Sequence, residues 1–221
     1  MGLTARSILF ASITMLVLIP FTASAQQVAY TDLGPGNSFD VNNGWSIDGP
    51  LDGSTFKYSH GMEFTALATG KLISIDVALF GDHVSTSNPI DVYLTSSMPT
   101  SPSNITGVIE SYTLTSLTSS PSNLSTLTSL INPTLTMGNN YYLTVVAVGN
   151  ASAGWQWNSL GIIGNLIRSQ DGGNYAVLRG STLGAFSVNL SPPAVPEASS
   201  FAGIALMSLG STLALRRKRR V

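Results

Sequence analysis

The chain has 221 residues, no cysteine, a formal net charge of −1 and only 10% charged residues. The missing cysteine excludes disulfides, thiolate nucleophiles and cysteine metal sites. The charge is unevenly placed: Gln26 to Glu197 carries Lys57, Lys71, Arg168 and Arg179 against all eleven acids, a net of −7, which excludes nucleic acid as a partner because phosphate binding needs clustered cations.

The N-terminus reads as an export signal. Arg6 supplies a positive start, Ile8 to Phe21 is an apolar run interrupted by Ser12 and Thr14, and Ala23-Ser24-Ala25 fits the small-x-small cleavage pattern. Residues 1–25 are therefore expected to be a signal-peptide helix. Signal peptidase would cut after Ala25, leaving Gln26 as the first mature residue.

Residues 26–192 read as one β domain. About 170 residues can bury an adequate single core without staples. Met62, Phe64, Ala66 and Ala68 share one parity. In Leu72 to Phe80, Ile73, Ile75, Val77 and Leu79 alternate with Ser74, Asp76 and Ala78. Ile90, Val92 and Leu94 alternate with Asp91 and Tyr93. Tyr141 to Val148 is apolar except for Thr144, as expected of a central strand, and Tyr175 to Leu178 and Phe186 to Leu190 follow. Period two with Gly and Asn punctuation means strands, and many short strands predict an all-β, antiparallel, jelly-roll-like sandwich. Ser111 to Thr136 is rich in Ser and Thr, and its spaced leucines Leu114, Leu117, Leu124, Leu127, Leu130 and Leu135 read as pins from an exposed hairpin or loop into the core.

Few residues of this body suggest chemistry. Trp155 and Trp157 would share a strand face about 7 Å apart. With Tyr175 they form the best binding hypothesis, a platform for sugar rings and hence an extracellular polysaccharide. Asp40, Asp48 and Asp52 cluster around Gly49 and Gly53 in the sequence and are weak ligand candidates for a single structural calcium, the one cofactor the chain suggests. Asp171 opens a second acidic turn. A hydrolase reading would use His60 or His83, the latter beside Asp82, but no Gly-x-Ser-x-Gly elbow exists. A glycosidase reading would need paired carboxyls among Glu63, Glu110 and Asp76, which read better as sheet-surface residues. Sequons at Asn104, Asn123, Asn150 and Asn189 match the glycosylation pattern, as a chain so rich in Ser and Thr does by chance.

Leu33-Gly34-Pro35-Gly36, Ser38-Phe39-Asp40, Gly44-Trp45 and Gly49 precede Met62-Glu63-Phe64, the long run from Leu72, and Asp91-Val92-Tyr93-Leu94. Over most of Tyr30 to Leu190 this pattern resembles the choice-of-anchor β-sandwich domains, type R in particular. The resemblance implies a fold and a surface location, without an assigned activity.

The C-terminal residues 193–221 carry the clearest signal. Val195-Pro196-Glu197-Ala198 opens an uncharged segment, Ala198 to Leu215, and Arg216, Arg217, Lys218, Arg219 and Arg220 close it. Eighteen helical residues span about 27 Å, close to a bilayer's hydrocarbon thickness. The basic cluster is a stop-transfer signal that stays on the cytoplasmic side. Order and spacing resemble the PEP-CTERM sorting signal, with Ala198 where a second Pro is usual. The resemblance implies an exosortase substrate, held transiently by one transmembrane helix in the inner membrane and cut near the motif. The chain is thus expected to be a non-catalytic protein of the bacterial surface, extracellular matrix or biofilm. A secreted carbohydrate-binding module is the alternative, and an extracellular hydrolase the third reading.

Overall fold

A computed structural model of the chain describes residues 26–49, 57–81 and 83–191. Within them the first strands are β1 (Gln27–Thr31), β2 (Phe39–Asp48), β3 (Tyr58–Thr65), β4 (Gly70–Val77) and β5 (Leu79–Phe80). Next come β6 (Ile90–Thr95), β7 (Val108–Leu114), β8 (Ser125–Thr128), β9 (Thr134–Leu135) and β10 (Asn140–Ala147). The last are β11 (Ser152–Asn158), β12 (Ile163–Gln170), β13 (Ala176–Thr182) and β14 (Phe186–Leu190). One 3-10 turn, Pro35–Asn37, interrupts the strands. No helix among the described residues is long and apolar enough to cross a membrane.

Two antiparallel sheets face one core. The smaller runs β1–β14–β4–β8, with β9 also on β4. The larger runs β5–β11–β2–β3–β10–β6–β7, and β3 carries β12, then β13, on its other edge. The interior is aromatic where the sheets meet. Phe186 of the small sheet stacks on Tyr30 at 4.7 Å and meets Phe64 and Trp155 of the large sheet edge-on at 5.6 and 5.9 Å. Edge-to-face rings at these separations add about 0.5–1.5 kcal/mol per pair beyond the area they bury.

The parity of β3 holds, since Met62, Phe64, Ala66 and Ala68 are all buried. β10 is central between β3 and β6, which explains its continuous apolar run. The run from Leu72 to Phe80 differs from expectation twice. Ser74 and Leu72 pair with the consecutive Asn189 and Leu190, so Ile73 is an extra, bulged residue in β4 that slips the register; Leu72 points inward and Ile73 is exposed. The run also breaks at Ala78: β4 belongs to the small sheet and β5 pairs with β11 in the large one. Ala78 makes the corner, donating to the carbonyl of Ala185 and accepting from the amide of Gln156. Alternation records burial and not hydrogen-bond partners, so it is blind to a change of sheet. Among the spaced leucines, Leu127 and Leu135 are buried, but Leu130 is a correction: it stands in solvent.

Candidate functional site

β11 shows why the expected tryptophan platform does not form. Trp155 lies opposite Trp45 of β2, and both face the core side of the sheet. Trp155 is 0% exposed, and its indole N–H donates to the carbonyl of Ala185 at 3.1 Å. Its ring packs over Gly184, where an added Cβ would sit 2.6 Å from the indole nitrogen. Tyr175 is buried as well and lies just before β13, separated from β11 by β2, β3 and β12. Trp155 and Tyr175 are therefore core residues and no part of a surface platform.

Trp157 is half-buried and takes a different partner. A register shift between Gln156 and Trp157 places Trp157 opposite Asp40, and its ring meets Trp45 at 5.5 Å. Trp45 in turn donates its indole N–H to Thr182 at 2.9 Å and lies 5.5 Å from His60. His60 stacks near Tyr58 at 6.2 Å, and the Arg168 guanidinium stands 5.8 Å over the Tyr58 ring. Trp45, Ser46, Tyr58, His60 and Arg168 line a cleft of about 140 Å³. Burial, reinforced by the Arg168 charge, pushes His60 down to about 4. The imidazole is thus neutral near pH 7. Such a cleft offers aromatic faces and one cation, chemistry suited to a sugar ring or a planar ligand. Sequence reasoning passed over it, although Tyr58 and His60 continue the parity of Met62 and Phe64.

A second, wider cleft of about 330 Å³ lies along β2, β5 and β11, with Asn42, Ser46, Phe80, His83, Ser152 and Gln156 among its lining residues. Phe80 covers Gly154 so closely that any side chain there would collide with the ring.

The carboxylates do not pair for catalysis. Glu63 accepts from Asn140 and Tyr142 at 3.1 Å each and from Asn165 at 2.5 Å. Glu110 is buried: one oxygen accepts from Ser129 at 2.6 Å, and the other from the amides of Leu130 at 2.6 Å and Ile131 at 3.3 Å. Glu110 lies opposite Leu94, in the row of Leu143 and Met62, while Glu63 lies opposite Tyr142 in the next row. The two therefore project from opposite faces of one sheet. Asp76 lies in the other sheet, held by Thr126 at 2.6 Å and Asn189 at 2.7 Å. That second bond ties the side-chain nitrogen of the Asn189 sequon into the sheet.

The calcium candidates are also separated. Asp40 pairs with Trp157 and Asp48 with Ser152, five residues along β11 and so about 17 Å apart. Asp40 accepts from the Asn43 side chain and the Asn42 amide, bonds that hold its carboxyl below the usual range. Asp48 accepts from Ser152 at 2.9 Å. Asp52 lies outside the described residues, as does Asp82. Among the described residues no group of three His, Asp or Glu side chains could hold a metal.

Asp32 is a buried acid with no sequence signal. Its Oδ1 accepts the Phe186 amide at 2.7 Å and its Oδ2 the Tyr30 hydroxyl at 3.3 Å. Burial pushes it up to about 7, against the pull of those hydrogen bonds. It ties the end of β1 to the start of β14.

The processing residues, Ala23 and Ala25 at the front and Val195 to Ala198 and Arg216 to Arg220 at the back, lie outside the described residues. Gln26 is described and sits one residue before β1. No protein-family model matches the chain, and a search of curated proteins finds no match.

Proposed function

We propose that the chain is an exported bacterial surface or extracellular-matrix protein, non-catalytic, with a jelly-roll-like sandwich as its body and an exosortase-type sorting signal at residues 193–221. The observation that carries this reading is the ordered series of Val195-Pro196-Glu197, an uncharged bilayer-length segment and five basic residues. The limits of the β fold support it. β1 begins at Gln27, directly after the expected signal-peptidase cut, and β14 ends at Leu190, just before the sorting signal. The dispersal of Glu63, Glu110 and Asp76 gives no support to a glycosidase. Mass spectrometry of the mature termini, on protein from cells and from medium, tests the reading. The expected result is an N-terminus at Gln26 and a C-terminus near residues 195–198. A chain recovered from the cytosol with both ends intact overturns it.

A second reading, carbohydrate binding, draws on the cleft of Trp45, Tyr58, His60 and Arg168. Retention on polysaccharide that is lost in Trp45→Ala and Arg168→Ala supports it, and unchanged retention in both removes it.

A further inference from the structure

The end of the β domain where the chain leaves toward residue 192 carries an unusual set of side chains. Ser191 donates its amide to the carbonyl of Lys71 at 2.7 Å, at the start of β4. Two turns flank that point. The first, following β3, exposes Leu67, which is 68% accessible. The second series, following β8, exposes Leu130 at 81%, Ile131 at 67% and Met137 at 64%.

Hydrogen bonds knit these segments together around the exit. Gly138 donates to Ala66 at 2.8 Å and Met137 to the Thr69 hydroxyl at 2.9 Å. Leu72 donates to Pro133 at 2.8 Å and Ser129 to Ile73 at 2.7 Å. Gly70 and Lys71 pair with Leu135 and Thr134.

The four apolar side chains are displayed on built turns. Glu110 is buried beneath the Leu130–Ile131 tip and holds its amides. Ser129, bonded to the same carboxylate, accepts the amide of Asn132, whose φ of 48° turns the chain. Gly138, at φ 84°, turns the Met137 tip. A folded protein rarely exposes several large apolar groups on turns tied to one another unless something covers them.

Charge points to the cover. Residues 66–71 and 129–140 contain no acid and one base, Lys71, in a body of net −7. The opposite end of the strands carries Asp48, Asp91 and Asp171, at the end of β2, the start of β6 and beyond β12. An anionic bilayer repels that acidic end and tolerates the end whose loops carry no acid, where Glu110 is buried under the turn and Glu63 is taken up by hydrogen bonds from Asn140, Tyr142 and Asn165. The six residues from 192 to 197 reach at most about 20 Å, so the sequence ties this end closely to the uncharged segment that begins at Ala198.

We infer that Leu67, Leu130, Ile131 and Met137 form a lipid-contacting face that seats the β domain on the membrane surface while the chain is still anchored. The inference rests on the membrane-anchored reading of residues 198–215.

The chain lacks cysteine, so single thiols can carry an environment-sensitive fluorophore. Leu130→Cys, Ile131→Cys, Met137→Cys, Asn150→Cys and Ser208→Cys are labelled in the full chain. Each is reconstituted in vesicles of phosphatidylethanolamine and phosphatidylglycerol, with spin-labelled lipid as quencher. Asn150 is exposed in the turn after β10, at the acidic end. The expected result is blue-shifted emission quenched by headgroup-level spin labels at 130, 131 and 137. The label at 208 is quenched deep in the bilayer and that at 150 stays water-like. If 208 is quenched but 130, 131 and 137 match 150, the lipid-contacting face is wrong and the anchor stands. A water-like 208 overturns the anchor and this inference with it. A blue shift at 130 and 131 that lipid quenchers do not touch assigns the face to a second copy of the chain and overturns the lipid assignment.

Discussion

Two aromatic clusters lie along the large sheet and differ in what covers them. In the first, Trp155 and Phe64 are capped by Phe186 and Tyr30 of the small sheet, with Asp32 at its border. In the second, the partly exposed Trp45, Trp157, Tyr58 and Arg168 surround the buried His60. Each shifts one titratable group toward its neutral form, an acid in the first and a base in the second. Ring content alone therefore does not separate core from surface. The separation comes from whether a second sheet lies above the rings.

The largest effect belongs to the covered cluster. Trp155→Ala removes a fully buried indole from beneath Phe186 and is expected to cost about 3–5 kcal/mol, read as a lower urea midpoint at constant m-value. A loss comparable to that of Trp157→Ala breaks the distinction between the clusters.

Next comes Asp32→Asn. The folded pKa of Asp32, about 7, is above the ordinary 3.8. The folded state therefore holds its proton longer than the unfolded one. That contribution is complete below about pH 4 and is lost as pH rises to about 7. Asparagine mimics the protonated acid, so the variant should gain on the natural chain between pH 4 and 7, by on the order of 2–4 kcal/mol at pH 8. A difference that does not change with pH refutes a buried neutral Asp32.

His60→Phe should show the opposite slope. The folded pKa of His60, about 4, is below the ordinary 6.5. Its contribution is complete above pH 6.5 and is lost as pH falls toward 4. The phenylalanine variant should therefore gain on the natural chain as pH drops from 7 to 4, by on the order of 2–3 kcal/mol. Denaturation curves across that range measure both slopes, and slopes of equal sign in the two variants count against the assignment.

The smallest effect is Trp157→Ala. Its ring is half-buried and touches Trp45, so the loss should be about 1–2 kcal/mol. Near-ultraviolet circular dichroism should lose the Trp45–Trp157 coupling while the urea midpoint moves little.

Much of the fold was legible in the chain. Alternation in Met62 to Ala68 and in Ile90 to Leu94 marked strands and their buried faces, because a pleated strand must put every second side chain on one side. The apolar run around Leu143 and Val145 marked a central strand, because a sheet buried on both sides leaves no position for a polar face. The proposed sorting signal rests wholly on the sequence, since an uncharged stretch of bilayer length followed by cations needs no tertiary contact to be recognised as such. Which strand joins which sheet was not legible. Leu72 to Phe80 looked like one strand, and the corner at Ala78 depends on Ala185 and Gln156, distant in the chain. Trp155 and Trp157 looked equivalent until a bulge and the small sheet separated them. Leu130 looked like a core pin until Glu110, twenty residues earlier, fixed its turn in the outward position. Local periodicity is set by backbone geometry, so sequence determines it; partner, register and cover are set by residues far apart, so only the folded chain decides them.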